Sequence, residues 1–195
     1  MGVRALTRSR RAVFFDRDGV LIKSLVREGR PHPVVDVADL EFEANVPEAV
    51  RRLHETVDLL FVVSNQPDVA RGTQTREANE ALNAAIARAL PIRKFYTCYH
   101  DDADRCSCRK PLPGLLTAAA EEFAVDLRAS FLVGDRWRDV DAGAAAGCTT
   151  IFIDRKYDER PPSNSPDFTF ASTDEAVAAL CDALLRGDAL QLGEV

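Results

Sequence analysis

Ala12-Val13-Phe14-Phe15-Asp16-Arg17-Asp18-Gly19 is a four-residue apolar run that stops at a carboxylate, repeats the carboxylate two residues on and then reaches a glycine. Consecutive apolar side chains suit a strand buried on both faces, as in a parallel sheet covered by helices. The pattern returns downstream, where Leu59-Leu60-Phe61-Val62-Val63 ends at Ser64 and Phe131-Leu132-Val133 ends at Gly134-Asp135. Helical spacing fills the intervals. It predicts helices from Pro47 to Glu55, from Thr75 to Leu90 and from Gly114 to Phe123. Phe95 to Thr97 reads as a short strand, and Asp139 to Gly147 as a short helix with a glycine stop before a strand at Thr150 to Ile153. Pro161 to Pro166 is a loop, and Ser172 with Glu175 forms a capping box for a last helix through Leu185. Alternating short strands and amphipathic helices predict an α/β fold with a mostly parallel central sheet.

The bulk figures set limits. A chain of 195 residues, 46% hydrophobic, can bury one full core but not two. We expect one domain over 12–190 with tails at 1–11 and 191–195. Basic residues (25 Lys+Arg against 31 Asp+Glu) are scattered, which argues against a nucleic-acid partner. The N-terminal stretch lacks an apolar leader and no run is long enough for a membrane span, so a cytoplasmic protein is expected, and a monomer is plausible.

In open α/β sheets ligands bind beyond the carboxyl ends of the strands. Asp16, Ser64 and Asp135 each follow a buried run, so three strands deliver a polar side chain to one edge. Any one of these aspartates alone could be a helix cap; the constellation points to chemistry. Phosphoryl transfer needs a nucleophile, cations for the equatorial oxygens and an acid for the leaving group. Asp16 and Asp18, two residues apart in a tight turn, can divide the nucleophile and acid roles. Clustered carboxylates require a cation, and oxygen-only ligands suit Mg²⁺, giving Asp16, Asp18 and Asp135 as the magnesium set. Ser64 and Lys110 are expected to hold the phosphoryl group. Asp139 either caps the following helix or steadies a metal-bound water.

Phe14 to Val20, Val63-Ser64-Asn65-Gln66, Arg109-Lys110-Pro111 and Val133-Gly134-Asp135 with Asp139 resemble, in order, the four motifs of the haloacid dehalogenase-like (HAD) phosphatases. The resemblance implies a Rossmann-like three-layer core, a phospho-aspartyl intermediate on Asp16, Asp18 as acid and then base, and a backbone carbonyl of Asp18 on Mg²⁺. Only 27 residues separate Gly19 from Pro47 and 45 separate Ser64 from Lys110, which leaves no room for a separate cap domain. Loops must therefore grip a small phosphate ester. Arg27, Arg30 and His32 could meet a second anionic group, although a solvated loop is the better account of any one of them.

Cys98, His100, Cys106 and Cys108 lie within eleven residues, whereas Cys148 and Cys181 stand alone in apolar surroundings. Three thiolates and an imidazole make a closed tetrahedral Zn²⁺ site with no position for a catalytic water, so the 98–108 loop is read as structural. His32 and His54 have no such partners and are read as packing or surface residues. A loop of this kind before Arg109-Lys110-Pro111 is similar to that of the heptose-1,7-bisphosphate and histidinol-phosphate phosphatases of the HAD group. That similarity implies substrate contacts from Arg109, Ser64 and Asn65. The chain departs from the branch at Pro67-Asp68, Tyr99 and Arg136, around the pocket. Two readings without catalysis compete: a receiver-like phosphoacceptor, against which Asp18 argues, and a zinc-organised binding module.

Overall fold

A computed structural model describes residues 10–186; the parts of both expected tails at 1–9 and 191–195, and residues 187–190 assigned to the domain, lie outside the described residues. In chain order the elements are β1 (Ala12–Phe15), β2 (Leu25–Arg27), β3 (Arg30–His32), α1 (Val46–His54), β4 (Leu59–Asn65), α2 (Arg76–Ala89), β5 (Lys94–Cys98), α3 (Gly114–Phe123), β6 (Phe131–Gly134), α4 (Trp137–Ala146), β7 (Thr149–Ile153), β8 (Phe168–Phe170) and α5 (Thr173–Arg186). The main sheet runs β5-β4-β1-β6-β7-β8, and every pairing in it is parallel. Helices cover both faces, as the α/β expectation requires, in a Rossmann-like three-layer arrangement. No helix among the described residues is long and apolar enough to cross a membrane.

Strand alternation builds the two cores. Val13 and Phe15 face a cluster with Val50 and Leu53 of α1, Leu82 and Ile86 of α2, and Val177 and Leu180 of α5. Ala12 and Phe14 face the opposite cluster, with Leu115, Leu116 and Ala119 of α3 and Ala142 of α4. Phe61 anchors this second core, its ring 5.4 Å from Phe14, 5.8 Å from Tyr96 and 5.1 Å from Phe123. Truncating such a ring to alanine costs about 3–5 kcal/mol. Cys148 and Cys181 are buried, one in each cluster, as expected of small core residues.

Register then aligns the functional edge. Phe15 pairs with both Val62 and Val133, so Asp16, Ser64 and Asp135 emerge within one residue of a common level. The Asp16 N–H extends the ladder by donating to Val133 O at 2.9 Å.

Two expectations need correction. The 20–45 segment was expected as a loop, yet it carries the antiparallel hairpin β2–β3. Its two-residue turn, Glu28-Gly29, has φ of 49° and 74°, a twist that matches paired strands but places glutamate where asparagine or aspartate is the usual signal. The strand β8 also went unread, because three residues with exposed Thr169 between two half-buried phenylalanines give too short a pattern.

Candidate active site

The turn after β1 depends on Gly19. Its φ is +81°, and a Cβ there would fall 1.9 Å from Asp135 Oδ2. Only glycine permits both the left-handed backbone and the approach of the two motifs.

Asp16 and Asp135 are buried beside Asp139, and one carboxylate oxygen from each of the three lies within 4.8 Å of the others. Burial pushes the Asp16 carboxyl up to about 6 although Lys110 pulls it down, and burial holds Asp135 well above the usual carboxylate range, with Asp16 and Asp139 adding to the effect. Neither Asp135 oxygen has a well-formed hydrogen bond among the described residues, although the Tyr157 hydroxyl is close enough to favour the charged form of this carboxylate. Two buried oxygens so placed beside two more carboxylates fit a divalent cation with hard oxygen ligands.

The Asp18 carboxylate stands apart from this cluster, although the sequence placed it among the magnesium ligands. It sits 3.0 Å from Arg17 Nη2 and accepts from Gln66 Nε2 at 2.8 Å and from Val34 N at 3.4 Å. Arg17 is fully buried and also donates to Asn83 Oδ1 of α2 at 3.0 Å.

Lys110 reaches the cluster from the segment after the Cys/His loop. Its Nζ lies 2.9 Å from Asp16 Oδ1 and 2.5 Å from Asp139 Oδ1, and donates to Val63 O at 2.7 Å. Burial opposes its charge, but the two carboxylates outweigh burial and raise its pKa. Asp139 Oδ2 accepts from Arg136 N at 3.0 Å and caps α4. Asp139 thus caps the helix and grips Lys110 while it stays within reach of the Asp16 and Asp135 carboxylates, so neither of its two expected roles is excluded.

Ser64 is buried beneath the cleft, and its Oγ accepts from Gln66 Nε2 at 2.8 Å. Asn65, expected to touch substrate, lines the cleft, and its amide is bonded to the main chain beside it: Nδ2 donates to Lys110 O at 2.9 Å and Oδ1 accepts from Lys110 N at 3.0 Å. It thereby fixes the backbone of Lys110.

Above these residues opens a cleft of about 320 Å³. Arg109, expected to contact substrate, lines it, as do Arg30 and His32 of the hairpin, while Arg27 does not. His32 and Arg30 therefore border the site, as their reading as possible partners of a second anionic group allows. Gln66, Arg17 and Arg138 went unassigned. The signal for Gln66 was its position two residues beyond Ser64 at a strand end.

The four residues of the 98–108 loop come together. Cys108 Sγ lies 3.2 Å from Cys98 Sγ and 3.5 Å from Cys106 Sγ, Cys98 and Cys106 are 3.7 Å apart, and His100 Nδ1 is 3.4–3.5 Å from Cys108 and Cys98. A tetrahedral centre with metal–sulfur bonds of about 2.3 Å has sulfur–sulfur edges of roughly 3.8 Å, close to these values. Burial opposes ionisation of Cys106, yet the backbone N–H groups of Arg109 and Cys108 bring its thiol down to about 7.

Fold and edge chemistry together define a phosphohydrolase. A family model described as HAD-hydrolase-like matches residues 107–176. The D-glycero-beta-D-manno-heptose-1,7-bisphosphate 7-phosphatase of Yersinia pestis is 35% identical over 77% of this chain and 83% of its own length. Its namesake in Escherichia coli K12 is 33% identical over 74% of this chain and 78% of its own length. A solved D,D-heptose 1,7-bisphosphate phosphatase from B. bronchiseptica, complexed with magnesium and phosphate, superimposes with a TM-score of 0.73 at 26% identity, covering 91% of this chain and 99% of that one. The chain belongs to the HAD-like phosphatases, in the branch that contains these relatives, and is a phosphoric monoester hydrolase.

Proposed function

We propose that the protein is a magnesium-dependent sugar-phosphate phosphatase that works through a phospho-aspartyl intermediate on Asp16. The observation that carries this reading is the Asp16 carboxylate, buried at the cleft floor with Lys110 at 2.9 Å and Asp18 two residues on, turned to a separate set of partners. An Asp16 oxygen attacks phosphorus while Asp18 gives its proton to the departing ester oxygen. Asp18, now a carboxylate, takes a proton from water as that water attacks the aspartyl phosphate, which restores Asp16 and releases inorganic phosphate. Lys110 and Ser64 hold the phosphoryl oxygens, and Asn65 and Asp139 position Lys110. Mg²⁺, held by Asp16 and Asp135 with the Asp18 backbone carbonyl, would neutralise the charge on the transferring group.

Zn²⁺ on Cys98, His100, Cys106 and Cys108 would be structural, since four protein ligands close the coordination sphere. It would fix Arg109 and Lys110, which directly follow the last thiolate.

The relatives' names and an arginine-lined cleft support a sugar bisphosphate such as D-glycero-D-manno-heptose 1,7-bisphosphate as substrate. The β anomer is the better supported, because relatives bearing that name are 33–35% identical and one named for the α anomer is 25% identical. Phosphate release from a panel of heptose bisphosphate anomers, histidinol phosphate and common sugar phosphates, with Asp16→Asn as control, tests the reading. Activity surviving in Asp16→Asn would sink the intermediate, and a wild-type chain inert on the whole panel would sink the reaction.

A further inference from the structure

Among the five arginines that line the cleft, Arg109, Arg136 and Arg138 form one group whose charges act on each other. Arg136 has its own counter-charge, with Nε donating to Glu159 Oε2 at 3.0 Å. The other two share a single oxygen: Asp102 Oδ1 lies 2.7 Å from Arg109 Nε and 3.9 Å from Arg138 Nη1. Two cations therefore face one carboxylate. Arg138 is partly withdrawn from water, and that burial, with the neighbouring Arg109 and Arg136 charges, holds its pKa below the ordinary arginine value. It is nonetheless fixed in place, its guanidinium carbon 4.3 Å from the centre of the Trp137 ring.

Asp102 is the loosely held member. Its side chain is 62% exposed, against 11% for Arg109 and 25% for Arg138. Its neighbour Asp101 is gripped bidentately by Arg71 at 2.7 and 2.9 Å, so the loop backbone is anchored independently of Asp102. An exposed carboxylate bound through one oxygen returns to water at little cost. A phosphate dianion, with three oxygens, suits two guanidiniums better than one carboxylate oxygen does.

We propose that Asp102 occupies the seat of a second anionic group, and that the non-transferred phosphate of a bisphosphate substrate displaces it onto the Arg109–Arg138 pair. Arg138 is then a specificity-determining residue, and the carboxylate that guards it weakens binding of esters with a dianionic far end more than binding of neutral-ended ones. This rests on the reading of the cleft as a sugar-phosphate site.

The test is equilibrium binding in an Asp16→Asn background, by calorimetry, with fructose 1,6-bisphosphate and fructose 6-phosphate as probes. The quantity read is the ratio of their dissociation constants. Arg138→Ala should cut the preference for the bisphosphate about ten- to hundredfold, the range of a lost charge-assisted contact, with Arg138→Lys recovering part of it. Asp102→Asn should raise the preference, provided its zinc content by elemental analysis matches that of the background protein. An unchanged ratio in Arg138→Ala overturns the subsite. A lower ratio in Asp102→Asn overturns displacement, since it would make Asp102 a strut that holds the arginines in place. Turnover by the wild-type chain, measured separately on the substrate panel, distinguishes failure of this proposal from failure of the phosphatase reading.

Discussion

Lys110 Nζ lies 2.5 Å from Asp139 Oδ1, and both side chains are 2% exposed. A buried ammonium needs its counter-charges, and here one of them also caps the helix that follows Asp135. Asp139→Asn keeps an oxygen for the Arg136 N–H but removes the charge that helps hold Lys110. We expect kcat to fall about ten- to hundredfold with little loss of stability, and Asp139→Ala to lose in addition about 1 kcal/mol with the cap. Lys110→Ala should fall further, by about 10²–10³ in kcat, as for removal of a preorganised oxyanion donor. Phosphate release and thermal denaturation read these effects. An Asp139→Asn enzyme as active as wild type would show that Asp16 alone suffices to hold Lys110.

The Gln66 amide bridges the two halves of the chemistry, donating to Asp18 Oδ2 and to Ser64 Oγ, each at 2.8 Å. Gln66→Leu leaves Asp18 with Arg17 and the Val34 N–H, so the acid is less well aimed. The expected result is a drop of about tenfold in kcat with KM nearly unchanged, because the ground-state phosphate contacts of Lys110 persist. Asp18→Asn should cost about 10²–10⁴, the usual worth of general acid catalysis. A Gln66→Leu defect that appeared only in KM would assign this side chain to binding instead.

The sequence made the sheet legible because β1, β4 and β6 are fully apolar up to the first catalytic-edge residue, so their ends and their chemistry coincide. β4 ran two residues past its expected stop, since Ser64 and Asn65 still pair with Thr97 and Cys98 of β5. The Cys/His loop was legible because its four ligands are close in sequence. What stayed hidden was side-chain direction. Nothing in the spacing of Asp16 and Asp18 says that the second carboxylate turns toward Gln66, a residue 48 positions away, or that Asn65 would bond the main chain of Lys110. The hairpin was hidden for a different reason: its turn carries a glutamate at positive φ, and its strands are stabilised by neighbours such as Asp158, whose N–H donates to Gly29 O at 2.8 Å.

Magnesium should stabilise the protein more at neutral than at acid pH. The folded Asp16 carboxyl titrates near 6, above its ordinary value of 3.8, and Asp135 is raised further in the same direction. Between these values the folded chain binds more protons at this site than the unfolded one, so the contribution of these two carboxyls to metal-free stability is greatest at low pH and declines as pH rises from about 4 through 6. A divalent cation relieves that penalty by displacing the protons. The rise in Tm on adding MgCl2 is therefore expected to be larger at pH 7.5 than at pH 5. An equal rise at both would mean that these carboxylates are not the ions that the metal meets.

Cys108 joins the loop to the site, because Arg109 and Lys110 follow it without a break and the Lys110 main chain is tied to Asn65. Loss of a metal cage at this point frees the chain just before the residue that must sit 2.9 Å from Asp16. Cys106→Ser and Cys108→Ser should each reduce bound zinc from about one per chain toward zero, read by elemental analysis of protein purified without chelator. Each should lower stability by about 3 kcal/mol, or roughly 6–12 °C in Tm for a chain of this size, with activity falling in parallel. Cys148→Ser is the contrasting variant: Cys148 is buried in the core cluster built on Phe14 and Phe61, so it should lose stability while keeping its zinc. Zinc retained in Cys108→Ser, or lost equally in Cys148→Ser, would separate the cluster from the metal and leave the loop to be held by its polar contacts, such as Arg71–Asp101 and Arg109–Asp102.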